Sequence, residues 1–441
     1  MVAALVSWAV WAARSASSLL LSDTDTVAIL EGLDKHASLW SWFSSDWALG
    51  NHFYRPLPTL TFAWDAASGS AAVFGATNSL LAIGCAWALA WALRELTDRP
   101  WIAALGTALF GAWLLGAGAW LEPFCWLVAA GCGAFALLRG RAWHPAVLAA
   151  AVWVFVGTEM SPIVPLRARI IEWLPGRTAS VMVVFALASL ACYARYERLG
   201  SLRSVPTPGP LDPPATKGTV RATTPGRFHA AWALAAWLLL VAALASYEQA
   251  VMLPAVLLGA AVLFRLRGHA VRWAWQAPFW ACLPIYLWVR HAALPVEVST
   301  YQQQQFRAGP GVALSLLDYI APGIGIWWTS SGIFSEGPLI LITPTFWTLV
   351  LVLAANIAIV VAARRNGLWI LGGWALSILA FLPMAWLKTF EHYHLWPMAL
   401  RTLFVAGCVA VGWDAAVSAM SRPRLAAPPR PHPAPGSLPR R

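Results

Sequence analysis

Charged side chains are scarce in this sequence. They make up 11% of its 441 residues, whereas 59% are Ala, Val, Ile, Leu, Met, Phe, Trp, Tyr or Cys, and the mean hydropathy is +0.64. A typical soluble domain is about 25% charged, so one soluble core of this size could not cover its apolar surface. The same composition excludes disorder over most of the chain. The sequence therefore predicts an all-α, polytopic membrane protein.

Several functional signatures are also missing. All six cysteines fall inside apolar runs without metal-ligand spacing, which excludes a disulfide scaffold and a cysteine metal site. No dinucleotide-binding or P-loop pattern is present, so the sequence predicts no nucleotide site. Any chemistry that the protein performs must therefore use side chains in and beside the membrane.

Apolar runs long enough to cross about 30 Å of hydrocarbon recur along the whole chain. They predict about twelve membrane-spanning helices, near residues 2–21, 72–93, 101–119, 123–138, 145–158, 178–194, 230–247, 251–264, 273–289, 345–363, 368–387 and 395–415. The segment 311–344 is apolar but interrupted by Gly and Pro, and it is either a re-entrant pair or a set of helices in the interface. Together these segments form one membrane domain over residues 1–421.

The distribution of basic residues sets the predicted orientation. When loops are placed alternately with the N-terminus inside, the inner loops and the C-terminal tail hold two thirds of the 30 Lys and Arg, and most of the 19 acids lie outside. This is the positive-inside pattern. It explains the net charge of +11 by contact with membrane lipid and without nucleic acid. We expect the protein to lie in a cell membrane with both termini on the cytoplasmic side. We also expect disordered segments at 195–229 and 422–441.

Arg14 is the exception to this layout, because it falls in the middle of the first predicted helix. A charge at that depth in lipid is costly. Either Arg14 faces the bundle, or the first helix begins upstream of Met1.

The longest polar stretch is the first extracytoplasmic loop, residues 22–71. It begins with Asp23 and Asp25 directly after a membrane helix and later carries Arg55 followed by Pro56. A carboxylate beside the membrane can act as a base on a hydroxyl or bind a metal, and a nearby arginine can hold a phosphate through two hydrogen bonds. The alternative is a helix cap or a solvated loop residue.

This loop resembles the first outer loop of the GT-C membrane glycosyltransferases, nearest to bacterial relatives of the transmembrane and tetratricopeptide-repeat O-mannosyltransferases. The matching residues are Thr24-Asp25 with Ala28-Ile29-Leu30, Asp46-Trp47 with Gly50, Tyr54-Arg55-Pro56-Leu57, and Leu60-Thr61-Phe62. Two positions depart from the family pattern. Thr24 replaces the first acid of a pair, for which Asp23 is one residue early, and Ala82 replaces a histidine four residues after Asn78.

Weaker matches extend the resemblance to about residue 400. They are Glu122 with Trp126, Trp173-Leu174-Pro175-Gly176-Arg177, Glu248 through Pro254, and Glu391-His392-Tyr393-His394. Glu159 through Pro165 repeats the spacing of Glu248 through Pro254, which leaves two candidates for one family position. We favour Glu248 because the residues before it fit better.

The resemblance implies a glycosyltransferase. It would transfer a sugar from a polyprenyl-phosphate donor to a hydroxyl of a glycan or protein acceptor on the outer face, with inversion. The implied catalytic acids are Asp25, Asp23 and Glu122, and the implied donor or substrate-binding residues are Tyr54, Arg55, Arg177, Glu248, Arg290, His392 and His394. No metal ligands are assigned, and a divalent cation remains open as a cofactor. The Gln302–Gln305 run is interpreted as a hydrated loop.

Two other functions remain open from the sequence. One is a non-catalytic transporter of lipid-linked glycans, although the sequence shows no charge in mid-membrane beyond Arg14. The other is a degenerate family member with a structural role, which the substitutions at Thr24 and Ala82 would allow. Loss of activity at Asp25 with intact folding would favour the enzyme over both.

Overall fold

The computed structural model describes residues 1–15, 18–35, 38–117, 124–125, 127–132, 134, 150, 166–202, 227–307, 309–320, 367–388 and 391–421. Within these residues all regular secondary structure is helical, and Phe306 and Leu387 form an isolated antiparallel bridge. The all-α prediction is confirmed for this part of the chain. The predicted spans 145–158 and 345–363, the tail 422–441 and Glu122 lie outside it, apart from residue 150.

The helices whose bounds the structure describes are named here in chain order. They are α1 Val2–Ala12, α2 Thr24–Gly32, α3 Pro56–Ala66, α4 Ala71–Thr97, α5 Pro100–Leu114, α6 Leu166–Ile170, α7 Arg177–Leu202, α8 Arg227–Leu244, α9 Leu253–Leu266, α10 Gln276–Ala293, α11 Thr300–Gln305, α12 Pro310–Ile320, α13 Gly367–Phe381 and α14 Leu395–Ser421. Short 3-10 turns include Glu248–Met252 before α9 and Glu391–His394 before α14.

Three of the described helical segments are long and apolar enough to cross a membrane: Ala71–Thr97, Arg177–Gly200 and Glu248–Leu266. Shorter apolar helices are Val2–Ala12, Pro100–Leu114, Ala230–Leu244 and Ile370–Trp386. These segments agree with predicted spans in position. They support a membrane-spanning chain, and the count of about twelve spans stays a prediction.

The first predicted span, 2–21, is not one continuous helix. Helix α1 ends at Ala12, and a separate 3-10 turn covers Ser18–Leu21. Arg14 lies beyond the end of α1, where it is exposed and its Nη1 donates a hydrogen bond to the Trp11 carbonyl at 2.9 Å. Its guanidinium also stacks over the Trp11 ring at 4.6 Å. Arg14 is therefore not a mid-helix charge.

Helix α7 is longer than predicted, because it continues to Leu202 and covers the first part of the expected 195–229 loop. Ion pairs explain the extension. Glu95, on α4, accepts hydrogen bonds from Arg195 at 2.9 Å and from Arg198 at 2.8 Å. Arg198 also pairs with Asp98, which ends α4 in the left-handed conformation. The last turns of α7 are thus held against α4 by charge.

The loops predicted to lie inside the cell come together at one end of α4 and α7, and those predicted to lie outside come together at the other end. Arg267, after α9, donates to the Leu96 carbonyl at 3.3 Å and so joins the Glu95 cluster at the predicted inner end. At the other end the segments before α2, α7 and α9 approach one another, as described below. This arrangement agrees with loops that alternate across a membrane.

Cysteine labelling tests the orientation. Arg55 and Arg177 are buried and would not react, so we choose exposed positions: Leu39 and Val296 at the predicted outer end and Arg265 at the inner end. We expect an impermeant thiol reagent to label Leu39→Cys and Val296→Cys in intact cells, and Arg265→Cys only after permeabilisation. Unmodified protein controls for the native cysteines. Labelling of position 265 with protection of 296 would overturn the topology.

Candidate functional site

The first outer loop is folded around α2 and α3, and Asp23 fixes where α2 begins. Its carboxylate accepts a hydrogen bond from the Thr26 backbone N–H at 3.3 Å, which is the geometry of a helix N-cap. It also accepts one from the Trp173 indole N–H at 3.0 Å. Asp23 therefore connects α2 to the segment before α7, and its role is structural.

Asp25 lies two residues later in the first turn of α2, with its side chain exposed at the mouth of a cavity. No described residue donates a hydrogen bond to its carboxylate. Partial burial and the negative charge of Asp23 raise the pKa of Asp25 above its ordinary value, although the positive charge of Arg169 opposes the shift. Asp25 is thus a carboxylate of raised basicity that remains available to a ligand.

The Asp46-Trp47…Gly50 motif forms a tight turn. Both carboxylate oxygens of Asp46 accept backbone hydrogen bonds, from the His52 N–H at 2.8 Å and the Phe53 N–H at 3.0 Å. Gly50 and His52 have φ values of 69° and 65°, a conformation that suits glycine best. Arg290 Nη2 donates to the His52 carbonyl at 3.4 Å. The motif therefore shapes the loop, and Arg290 stabilises it.

Arg55 is the centre of the contact between this loop and the segment before α9. Its Nε and Nη2 each lie 2.9 Å from Oε2 of Glu248. Its guanidinium packs over the rings of Trp47, Phe53 and Tyr247 at 4.7, 4.2 and 4.4 Å. Burial lowers the pKa of Arg55, but the charge and hydrogen bond of Glu248 together with the nearby Tyr247 and Tyr393 raise it by more, so the side chain stays protonated.

Tyr54 completes this contact through its backbone. Its N–H donates to Glu248 Oε1 at 3.2 Å, and its hydroxyl donates to the Phe43 carbonyl at 3.0 Å. Pro56 then occupies the first turn of α3, where a missing N–H has no cost. The Tyr-Arg-Pro-Leu motif is therefore a junction that fastens the outer loop to Glu248.

Arg177 is engaged elsewhere. Its Nη1 lies 2.7 Å from Asp65 Oδ2 and 3.2 Å from the Thr61 carbonyl, its Nε donates to Asn78 Oδ1 at 2.7 Å, and its Nη2 donates to the Phe74 carbonyl at 3.0 Å. The residue is fully buried. All three guanidinium nitrogens thus have protein partners, and Arg177 joins α3, α4 and α7. This geometry indicates a structural role in place of the donor-phosphate contact expected from the sequence.

The segment that precedes Arg177 needs its glycine. A Cβ on Gly176 would lie 1.7 Å from the Arg169 carbonyl oxygen, so no other residue fits without moving α6. The close approach brings Arg169 beside Trp173, with the guanidinium 4.8 Å from the ring centre. The Trp-x-x-Gly-Arg motif therefore places both a cation and an aromatic ring next to the acids of α2.

His392 lines the buried side of the cavity, away from its solvent-exposed mouth. Its ring lies 5.3 Å from the Trp173 ring, and its Nε2 lies 3.5 Å from the Tyr247 hydroxyl. Burial, together with the positive charges of Arg55 and Arg169, lowers the pKa of His392 to about 3. His392 is therefore neutral at physiological pH, so it can exchange hydrogen bonds with a ligand but supplies no charge to a phosphate.

These elements line a cavity that is partly open to solvent, with about 430 Å³ of space when the open solvent at its mouth is included. Its aromatic lining residues are Trp47, Phe53, Trp173, Tyr247, Tyr301 and Tyr393, and its polar ones are Asp25, Asn51, Arg55 and His392. Aromatic walls with a few polar groups are typical of small-molecule sites. This lining suits a ring-shaped polar ligand, with Asp25 at the mouth of the cavity.

The predicted site residues divide into three groups. Asp25, Arg55 and His392 line the cavity, whereas Asp23, Tyr54 and Glu248 hold its walls in place. Arg177, Arg290 and His394 are not among its lining residues. The His394 ring packs instead against Phe381 at 5.3 Å and Tyr319 at 6.0 Å. Glu122 lies outside the described residues.

Three contributors were missed from the sequence. Arg169 was counted only as part of the outer basic residues, and its place beside Trp173 depends on the close approach at Gly176. Asp65, the partner of Arg177, stands in the apolar part of the loop. Tyr301 precedes the glutamine run and carries no motif. The one sequence signal that could have found any of them is the position of Arg169 shortly before the Trp-x-x-Gly-Arg motif.

Neither a metal cluster nor a known relative identifies the site. In the part of the chain that the structure describes, no three His, Cys, Asp or Glu side chains come together as metal ligands. The chain matches no protein-family model, no curated protein and no solved structure. The assignment of a function therefore depends on the geometry.

The Arg55 junction leads to a stability prediction. Arg55→Lys keeps the charge but loses the paired contact with Glu248 and the flat packing on three rings. We expect it to lower the free energy of unfolding by about 1–3 kcal/mol, with little change in the donor concentration needed for half-maximal rate. Thermal unfolding in detergent measures the first quantity.

Arg167→Lys is the matched control, because Arg167 pairs with Glu172 on the surface. Exposed pairs contribute about 0–1 kcal/mol, so this variant should behave as wild type. A stable Arg55→Lys protein with a higher donor requirement would restore the phosphate role of Arg55.

Proposed function

We propose that the chain is an integral membrane glycosyltransferase with about twelve spans and a GT-C-like architecture. It transfers a sugar from a polyprenyl-phosphate donor to an acceptor hydroxyl on the extracytoplasmic face of the cell membrane, with inversion. Both termini face the cytoplasm. The proposal rests on the resemblance of the outer loop to that family and on the position of Asp25.

Asp25 is the observation that carries the proposal. Of the two acids at the start of α2, Asp23 is occupied as the helix cap and as acceptor for Trp173. Asp25 lies at the cavity, has no described hydrogen-bond donor, and has a raised pKa. A base works best when it is deprotonated yet basic enough to accept a proton. Burial and the charge of Asp23 raise the pKa of Asp25, which makes its carboxylate a stronger base than an ordinary aspartate.

The reaction is a single displacement at the anomeric carbon. The acceptor oxygen forms a bond to that carbon while its proton passes to an Asp25 carboxylate oxygen. The bond between the anomeric carbon and the donor phosphate oxygen breaks, and its electron pair leaves with polyprenyl phosphate. Attack from the face opposite the phosphate inverts the configuration.

The leaving phosphate needs positive charge nearby. Arg169 is the cation whose charge reaches both Asp25 and His392. We assign the phosphate contact to Arg169 for this reason.

The test is transfer by the purified full chain in lipid. A panel of polyprenyl-phosphate sugars is incubated with the protein, and the release of polyprenyl phosphate and of glycosylated product is measured. Wild type is expected to consume one donor, and Asp25→Asn at equal protein level to consume almost none. Movement of the lipid-linked sugar across the bilayer without transfer would support the transporter instead. Equal turnover in both proteins would refute the role of Asp25.

A further inference from the structure

Residues 294–307, which we call the strap, follow α10 and contain α11. The sequence predicted a hydrated loop over Gln302–Gln305, but these residues belong to a capped helix. Ser299 Oγ accepts from the Gln302 N–H at 3.1 Å, and Gln302 Oε1 accepts from the Ser299 N–H at 3.2 Å. Gln302 is 9% exposed. This prediction was therefore wrong, because the capping box orders the segment.

The strap is fastened to the bundle on both sides of Tyr301. Before Tyr301, the Ser299 hydroxyl donates to the Asn51 carbonyl at 3.1 Å, and directly after it Gln302 Nε2 donates to the His52 carbonyl at 2.9 Å. Beyond it, the backbone of 305–307 forms two hydrogen bonds of 2.7 Å with 386–388. Tyr301 is thus held at the cavity by contacts with two separate parts of the chain.

Tyr301 is the most accessible aromatic residue of the cavity. It is 38% exposed, whereas Trp47, Tyr247 and Tyr393 are almost completely buried and Trp173 is half-buried. Its ring meets Phe53 edge-on at 6.3 Å. Its hydroxyl has no hydrogen-bond partner among the described residues. Tyr301 is therefore the aromatic ring of the cavity that is most open to an entering ligand.

The surroundings of Tyr301 are polar on one side. Tyr301, Asp25 and Arg55 line the same cavity. Partial burial raises the pKa of Tyr301, the charge of Arg55 lowers it, and the charge of Asp25 raises it. Asn51 also lines the cavity and is buried. Its side-chain carbonyl accepts from the Trp47 indole, which leaves the amide nitrogen for a ligand.

We propose that Tyr301 is a sugar-contacting specificity residue: its ring is the wall against which a pyranose packs its C–H face beside Asp25. A pyranose has apolar C–H faces and a polar rim. An exposed aromatic ring next to a carboxylate, an amide and a cation matches both surfaces. The proposal rests on the proposed function, because that function makes the ligand a sugar. It adds a residue outside every motif of the resemblance.

The experiment measures sugar binding directly. Methyl glycosides of hexoses and N-acetylhexosamines are titrated against the purified full chain in detergent, and saturation-transfer NMR gives their affinities. We expect Tyr301→Ala to weaken the best ligand about 3- to 10-fold and Tyr301→Phe to retain it, because the ring remains. Trp40→Ala is the matched control, since Trp40 is an exposed aromatic of the same outer region and does not line the cavity.

The outcomes separate this inference from the transferase proposal. Three results would each overturn the role of Tyr301: no sugar binding to wild type, unchanged binding in Tyr301→Ala, or an equal loss of binding in Trp40→Ala. Donor turnover is measured independently of these results. Binding that depends on Tyr301 in a protein that consumes no donor supports the sugar site and refutes the transferase.

Discussion

Asp25→Asn is expected to lower turnover by about 10²- to 10⁴-fold, which is the contribution of a positioned general base. The amide keeps the volume of the side chain but cannot accept the proton of the acceptor. The carboxylate accepts no hydrogen bond from a described residue, so the substitution should leave thermal stability and donor binding nearly unchanged. Turnover, thermal unfolding and donor binding are measured on the same preparation.

Asp23 is the internal comparison for this prediction. Asp23→Asn retains an oxygen that can accept from Thr26 and Trp173, and asparagine is as good an N-cap as aspartate. We expect only a small loss of turnover. Asp23→Ala removes the cap and should cost about 0.5–2 kcal/mol of stability. A larger loss of turnover in Asp23→Asn than in Asp25→Asn would exchange the two roles.

The pH dependence of the rate gives a second measurement of the same base. Because burial and Asp23 raise the pKa of Asp25, kcat/KM should rise with pH through that raised value as the carboxylate loses its proton. This acid limb should be absent from the residual rate of Asp25→Asn. His392, whose pKa is lowered to about 3, is neutral throughout the same range and adds no limb near pH 6.

The sequence could predict residues that belong to one region but not what their charges do there. The resemblance placed Tyr54, Arg55 and Glu248 among the donor or substrate-binding residues, and the structure shows Arg55 in contact with the Glu248 carboxylate. Both were expected to serve the substrate. An arginine motif has the same appearance whether its partner is a phosphate or a protein carboxylate, because both accept the same guanidinium donors.

Arg177 shows the same limit of prediction from sequence more strongly. Its position at the start of α7 was predicted correctly, yet its partner Asp65 comes from a helix that the loop was not expected to contain. Long-range pairings of this kind depend on packing, which local patterns do not encode. The strap was missed for a related reason, since a run of polar residues indicates a loop until a capping box and two distant anchors order it.

The buried pair of Arg177 and Asp65 carries the largest expected effect on stability. Their side chains are 0% and 2% exposed, and the distance between Nη1 and Oδ2 is 2.7 Å. Asp65→Asn removes the negative charge and leaves the guanidinium buried without compensation. Breaking such a pair from one side costs about 3–5 kcal/mol. Unfolding in detergent should therefore show a large loss, and activity should fall with the folded fraction.

Three control variants define this result. Glu172→Gln breaks the exposed pair with Arg167 and should cost about 1 kcal/mol or less. Thr77→Val removes a 2.9 Å hydrogen bond to the charged Asp65 carboxylate and should cost about 1.5–3 kcal/mol. Adding Arg177→Met to Asp65→Asn removes the unpaired charge and should recover part of the loss. Two results together would contradict the structural role of Arg177. Asp65→Asn would be no less stable than Glu172→Gln, and Arg177→Lys would raise the donor concentration needed for half-maximal rate in a fully folded protein. Arg177 would then bind the donor phosphate.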